Sequence, residues 1–255
     1  MEFRNREGKT AFNCAVTSAD RSPGVSAMMR VKNEAEFIEA SVRSVLPYVD
    51  EVVLVLQPCD DDTPLIIESI RSPKLKVFPY PFEIGKNGPG FSKRNDSSSV
   101  HSIVYYYNYA LSLTTRQWVL KWDGDMIALP TLQGFVENRQ EAEMRGREVV
   151  KIERPHLWLS RQKPGLIQDP GLFLVDESAR FVAGAACEVF SRCKPPRGGA
   201  IHFLHFKWCK AHFDDVWPAN WRDNPHFRRI HARRQPGVRC PGRVPPIFWK
   251  CFQDG

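Results

Sequence analysis

The sequence contains no apolar run of about 18 residues, so it offers no helix able to cross a bilayer. Its opening stretch, MEFRNREGKTAFNC, lacks an apolar h-region, and no secretory signal is expected. Seven cysteines (Cys14, Cys59, Cys187, Cys193, Cys209, Cys240 and Cys251) form an odd count without one C-x-x-C pair. That pattern fits reduced thiols better than a disulfide framework. These absences point to a cytoplasmic protein. Repeats and low-complexity tracts are also missing, so an ordinary globular fold is expected.

What is present supports a sizeable core: 255 residues, 42% hydrophobic and 25% charged, enough for one large domain or a domain with an appendage. The formal charge is +7, with 36 Lys and Arg against 29 Asp and Glu, and the excess is concentrated late in FRRIHARRQPGVRCPGRVPP. A basic tail of this kind can meet an anionic membrane surface, phosphate or nucleic acid, or simply be solvated.

Four parts are expected. Residues 1–24 are polar and aperiodic and read as a leader without fixed structure. Residues 25–150 alternate strand and helix. VSAMMRV (25–31) and EVVLVLQ (51–57) are continuous apolar runs, the mark of parallel strands covered on both faces. Between them Ala35, Ile38, Val42, Val45 and Leu46 recur at steps of three and four, predicting a helix capped by Asn33 and stopped by Pro47. A helix near 63–70, a strand LKVFPY, a helix at about 100–113, a strand WVLKW and a helix over 131–146 complete a mostly parallel α/β sheet. Residues 151–212 change character, with strand-like segments between Pro- and Gly-rich loops, and read as a smaller, irregular β-rich half closing over the sheet. Residues 213–255 form a basic extension.

Chemistry is concentrated in WVLKWDGDMIALP, where Asp123 and Asp125 follow the fourth strand. Ligands bind open α/β sheets outside the carboxyl ends of the strands. Two carboxylates in one short turn can share a hard cation, Mn²⁺ or Mg²⁺, that bridges phosphate oxygens. Without a metal they repel by about 4 kcal/mol at 4 Å and an effective dielectric near 20. A solvated Asp-Gly turn is the competing reading. CDDDT adds Asp60, Asp61 and Asp62, as ligands of a sugar hydroxyl or base, or as caps in which Asp62 or Thr63 opens a helix. AIHFLHFKWCKAH carries His202, His205, Cys209 and His212. On a helix they would align as a zinc site; the apolar residues between them favour a strand, which leaves a single histidine for a metal held by Asp125.

Taken together, MMRVKNEAEFIEASVRSVLPYVDEVVLVLQPCDDDT and YYNYALSLTTRQWVLKWDGD resemble family 2-type glycosyltransferases of the GT-A fold. Members of that family typically read strand–Arg-Asn-Glu–helix, then an Asp-rich turn ending in Asp-x-Thr, then Asn-x-Ala-Leu before Asp-x-Asp; here the first block reads Lys32-Asn33-Glu34. The resemblance implies a nucleoside-diphosphate sugar across the strand ends, beside Arg30, Asn33, Glu34, Asp60, Asp62, Asn108 and Asp123. It implies a metal on Asp125 with Asp123, and favours His205 over His202 to complete its shell. The family's usual second-strand carboxylate is missing; Leu56 and Gln57 stand there, which moves base recognition to Gln57 or Asp60. An inverting transfer needs a carboxylate base; Asp169, in the loop LIQDPG, and Glu188 are the candidates, ahead of Glu153, Asp176 and Glu177. The acceptor is expected to be a saccharide or a lipid-linked molecule in surface polysaccharide or glycolipid biosynthesis, with the basic C-terminus touching the inner face of the membrane. A nucleotidyltransferase would present a Gly-rich phosphate loop after the first strand, and RVKNEAEF lacks it. A non-catalytic sugar or nucleic-acid binder could use Trp217, Trp221, Phe227 and Trp249 among the arginines, but has no use for the Asp-x-Asp turn.

Overall fold

The computed structural model describes residues 2–84, 96–137, 149–155, 166–176, 178–183, 188–191 and 203–205. The chain opens with β1 (Glu2–Phe3), β2 (Cys14–Ala15) and the long strand β3 (Ser22–Val31). Then come α1 (Ile38–Val45), β4 (Glu51–Leu56), α2 (Thr63–Ser69) and β5 (Leu75–Pro79). Next are α3 (Ile103–Ser112), β6 (Arg116–Asp123), β7 (Met126–Ala128) and α4 (Leu132–Glu137). The last described elements are β8 (Val149–Pro155), β9 (Leu166–Leu174), β10 (Phe181–Ala183), β11 (Glu188–Phe190) and β12 (Phe203–His205).

Six strands form the central sheet in the order β5-β4-β3-β6-β9-β8. The first four run parallel, while β9 is antiparallel to both β6 and β8. The mostly parallel α/β architecture is therefore as expected. The runs in β3, β4 and β6 are buried on both faces. Ala27, Met29, Leu54, Leu120 and Trp122 pack with α1, and Met28, Val53, Val55 and Val119 pack with the tyrosines of α3. Alternation across each strand divides the core into two layers.

Buried polar groups pin the amino edge of the sheet. The Glu51 carboxylate, at the start of β4, accepts from Ser26 Oγ (2.6 Å), Thr115 N (2.5 Å), Thr115 Oγ1 (2.9 Å) and Lys76 Nζ (2.8 Å). Burial alone would raise its pKa, but these donors, led by Lys76, outweigh it and hold the pKa below the usual carboxylate range. Gly24 sits at φ +127°, where a Cβ would strike the Asp50 carboxylate that accepts from Val25 N at 2.7 Å.

Several expectations are corrected. Residues 2–24 are no loose leader. Residues Val104–Leu111 of α3 are all buried, so the helix needs cover on its outer side as well as against the sheet. The N-terminal segment supplies it: Tyr105 Oη donates to the carbonyls of Phe3 (3.2 Å) and Phe12 (3.0 Å), and the Phe12 ring packs on Tyr80, Phe82 and Tyr109. Glu7 locks the segment down by accepting from Ser99 Oγ (2.5 Å) and Val100 N (3.0 Å). Asn33 does not cap α1. It takes a left-handed φ of +53°, the chain turns through residues 34–37, and α1 begins at Ile38 behind Phe37. Past residue 148 the chain first extends the main sheet, because β8 and β9 join it as antiparallel strands. Asp169 is consequently in a strand, opposite Ile152, and not in a loop. Pro170 is tolerated beside it because, among the described residues, β6 pairs with residues 172–174 alone, and the rest of β9 has β8 as its one hydrogen-bonded neighbour.

Candidate active site

The chain runs outward from β3 to β4 and β5, then returns across the sheet to β6 on the other side of β3. That reversal opens a crevice at the carboxyl ends of β3 and β6, where doubly wound sheets bind ligands. Arg30 lies there, in register with Asp123 of β6 on one side and Val55 of β4 on the other.

Asp123 closes β6, Gly124 turns the chain, and Asp125 leads into β7. Asp125 is 2% exposed. The turn is fastened from beneath by α1. Ser41 Oγ donates to the Asp123 carbonyl (3.0 Å) and accepts from Trp122 Nε1 (3.0 Å), while Ser44 Oγ accepts from Ala128 N (3.0 Å). From above it is confined by Glu34, since a Cβ on Gly124 would come within 2.8 Å of Glu34 Cγ. Glu34 is itself held by its backbone N–H donating to Thr63 Oγ1 at 2.7 Å.

Arg30 connects this turn to α3. Its Nη2 donates to Tyr107 Oη and lies 3.5 Å from Asp123 Oδ1, and its guanidinium carbon is 3.2 Å from the centre of the Tyr107 ring. The Lys121 ammonium stands 5.0 Å from the same ring centre and is nearly buried. Two cations thus gather at one aromatic ring, with the Asp123 carboxylate beside one of them, a concentration of charge of the kind found where phosphates bind.

The turns after β3 and β4 are laced together. Asn33 Oδ1 accepts from Asp60 N (2.9 Å), its Nδ2 approaches Asp60 Oδ2 (3.5 Å), and its backbone N–H donates to Cys59 Sγ (3.3 Å). Burial, with Asp61 and Asp60 nearby, keeps the Cys59 thiol protonated by raising its pKa. Asp61 makes the capping contact expected of its neighbours, accepting from Thr63 N (3.0 Å) and Ala35 N (3.1 Å). Asp62 is the residue before α2 but makes no side-chain cap.

Two predicted nucleotide residues serve the protein itself. Gln57 is buried and its Nε2 donates to the Phe82 carbonyl (2.9 Å). Asn108, 1% exposed, holds the Phe181 backbone with both ends of its amide: Oδ1 accepts from Phe181 N (2.9 Å) and Nδ2 donates to Phe181 O (3.0 Å). Asn108 therefore ties β10 to α3.

Of the later candidates, Glu188 opens β11, opposite Ala183 of β10. His205 ends β12, opposite Met126 of β7 and thus one register position from Asp125. Cys187, Glu177, His202, Cys209, His212 and the whole of 213–255, with Trp217, Trp221, Phe227 and Trp249, lie outside the described residues.

Among the described residues, no cluster of three or more His, Cys, Asp or Glu side chains forms a metal cage. The Asp123–Asp125 turn nonetheless has the donor chemistry of a Mg²⁺ or Mn²⁺ seat. Such ions take one or two carboxylates from the protein and their remaining oxygens from water and phosphate. Also among the described residues, no helix is long and apolar enough to cross a membrane.

Ser41, Ser44, Tyr107 and Lys121 were not singled out in the sequence. The serines left a faint signal, polar residues three apart on an otherwise apolar helix face.

No curated protein matches the chain. Among solved structures, it is similar to Staphylococcus aureus TarS, residues 1–349 (21% identity, 55% of this chain, 38% of that chain, TM-score 0.38). The same region in complex with UDP-GlcNAc gives 22% identity over 55% of this chain and 37% of that one, TM-score 0.38. Glucosyl-3-phosphoglycerate synthase from Mycobacterium tuberculosis, in complex with Mg²⁺ and UDP, gives 19% identity over 55% and 45%, TM-score 0.35. The chain spans less than half the length of each of these three. The family model described as beta-1,4-N-acetylgalactosaminyltransferase (CgtA) matches residues 6–171, more than half of the chain and the whole of the crevice described above, and the protein belongs to that family of glycosyltransferases.

Proposed function

We propose that this glycosyltransferase is metal-dependent and moves a sugar from a nucleoside diphosphate to a hydroxyl at the crevice between β3 and β6. The observation that carries the reading is the Asp123–Gly124–Asp125 turn, held from below by Ser41 and Ser44 and set beside Arg30. Asp123 and Asp125 would hold Mn²⁺ or Mg²⁺, with His205 as a further ligand; the antiparallel register of β12 on β7 supports that third assignment. A cation held by these residues would supply the positive charge that offsets the charge on the departing diphosphate. Arg30, Asn33, Glu34, Asp60 and Asp62 border the nucleotide. Asp169 or Glu188 takes the proton from the acceptor hydroxyl as it attacks the anomeric carbon.

The family description supports N-acetylgalactosamine as the sugar and a β-1,4 linkage as the product. From an α-linked donor, a β product requires inversion and hence one base, not a covalent sugar–enzyme intermediate. The acceptor is a saccharide or lipid-linked saccharide on the way to a surface polysaccharide or glycolipid. The enzyme works in the cytoplasm, with residues 213–255 drawn to the anionic face of the membrane by their charge.

Thermal shift with UDP-, GDP-, TDP- and CMP-sugars, each with and without Mn²⁺, tests the proposal. Stabilisation by a UDP-sugar that requires Mn²⁺ is expected. No response across the panel would overturn it.

A further inference from the structure

The contact between Arg30 and Asp123 has a cost for a metal site. A guanidinium 3.5 Å from one of two metal-binding carboxylates repels a bare cation and leaves that carboxylate partly neutralised. Both side chains are shielded from solvent, 12% and 20% exposed, so their pairing is weakly screened. The guanidinium cannot easily swing away, because Tyr107 both stacks on it and accepts its hydrogen bond. Tyr107 is in turn fixed by the Phe181 ring, 4.5 Å away centre to centre, and by its burial in α3.

Resting on the reading of Asp123 and Asp125 as the metal seat, we propose that Arg30 is a fixed counter-charge that makes metal and nucleotide bind together. Alone, a divalent cation meets a carboxylate already paired with Arg30. Alone, a diphosphate meets Asp123 and Asp125 as two repelling charges. Arriving together, the diphosphate compensates Arg30 while the cation takes over Asp123, and every charge acquires a partner. Tyr107 is the positioning residue that keeps the guanidinium where this exchange works. Coupling between two ligands through such differential contacts amounts to factors of about 5 to 150.

Calorimetric titration of the full chain with Mn²⁺ alone, UDP alone and UDP in saturating Mn²⁺ measures the coupling without turnover. In Arg30→Gln, bare Mn²⁺ is expected to bind about tenfold more tightly than in the wild type. The gain in UDP affinity conferred by Mn²⁺ should fall by about the same factor. Tyr107→Phe, which keeps the ring and removes only the hydroxyl, should shift both quantities in the same direction by less; it decides the matter if Arg30→Gln fails to fold. Bare-Mn²⁺ affinity that is unchanged or weaker in the folded variants would overturn the proposal. Wild-type protein that binds Mn²⁺ but binds UDP equally with and without it would likewise overturn the proposal, whereas wild-type protein that binds no Mn²⁺, with or without UDP, would instead count against the metal-dependent reading.

Discussion

Asp123 and Asp125 stand one residue apart yet in different surroundings, and the difference divides their work. Asp125 is buried behind the turn and pointed to by the register of β12, whereas Asp123 faces Arg30. Replacing Asp125 by Asn preserves shape and removes the charge. We expect turnover to fall about a hundredfold or more while the melting temperature changes little, measured as donor consumption beside a thermal melt. Gly124 is equally constrained. In Gly124→Ala the new methyl group must displace Glu34, so activity should drop sharply, and a Gly124→Ala enzyme with wild-type kcat/KM would show that Glu34 yields freely. The carboxylates were legible in the sequence because an acidic pair after an apolar run is conspicuous. The setting of Asn108 was not legible for a physical reason: an amide in a helix before the Asp-x-Asp looks available, and only the fold reveals that the Phe181 backbone takes both its ends.

Among elements, α1 is more than packing. The sequence pattern found its apolar face through Ile38, Val42 and Val45, and overlooked the two serines that hold the Asp123–Asp125 turn. Ser41→Ala removes the hydrogen bonds that Ser41 Oγ makes with the buried Trp122 indole N–H and with the Asp123 carbonyl. A loss of about 1–3 kcal/mol is expected in chemical denaturation, together with weaker Mn²⁺-dependent UDP binding. A stable Ser41→Ala protein with unaltered binding would mean that the turn holds itself. The strands β3, β4 and β6 were readable because two-sided burial imposes unbroken apolar runs. The second half of β9 was readable too, as the apolar run GLFLVD; its first half, Leu166–Pro170, was not, since the Asp-Pro pair imitates a loop and the pairing with β8 that overrides it is non-local.

For the molecule as a whole, the N-terminal segment is the largest departure from expectation. Its own composition is polar; its place is set by α3, which is buried on every side and needs a cover. Glu7 is the lock. Burial would raise its carboxyl, but donors from Ser99, Val100 and Arg6 hold it at about 2, against an ordinary value of 4.5. A depressed folded pKa contributes stability above the unfolded value and loses it as pH falls through the folded one. Wild type should therefore melt higher than Glu7→Gln above about pH 4.5, and the two curves should converge as pH approaches about 2. Parallel curves over that range would remove Glu7 from the latch. The account as a whole stands on sugar transfer that depends on a metal seated at the β6–β7 turn. Release of UDP from UDP-N-acetylgalactosamine, in the presence of a saccharide acceptor, tests this most directly when followed with Mn²⁺, with a chelator, and in Asp125→Asn. The account predicts release in the first condition alone; undiminished release with chelator or in Asp125→Asn would contradict it.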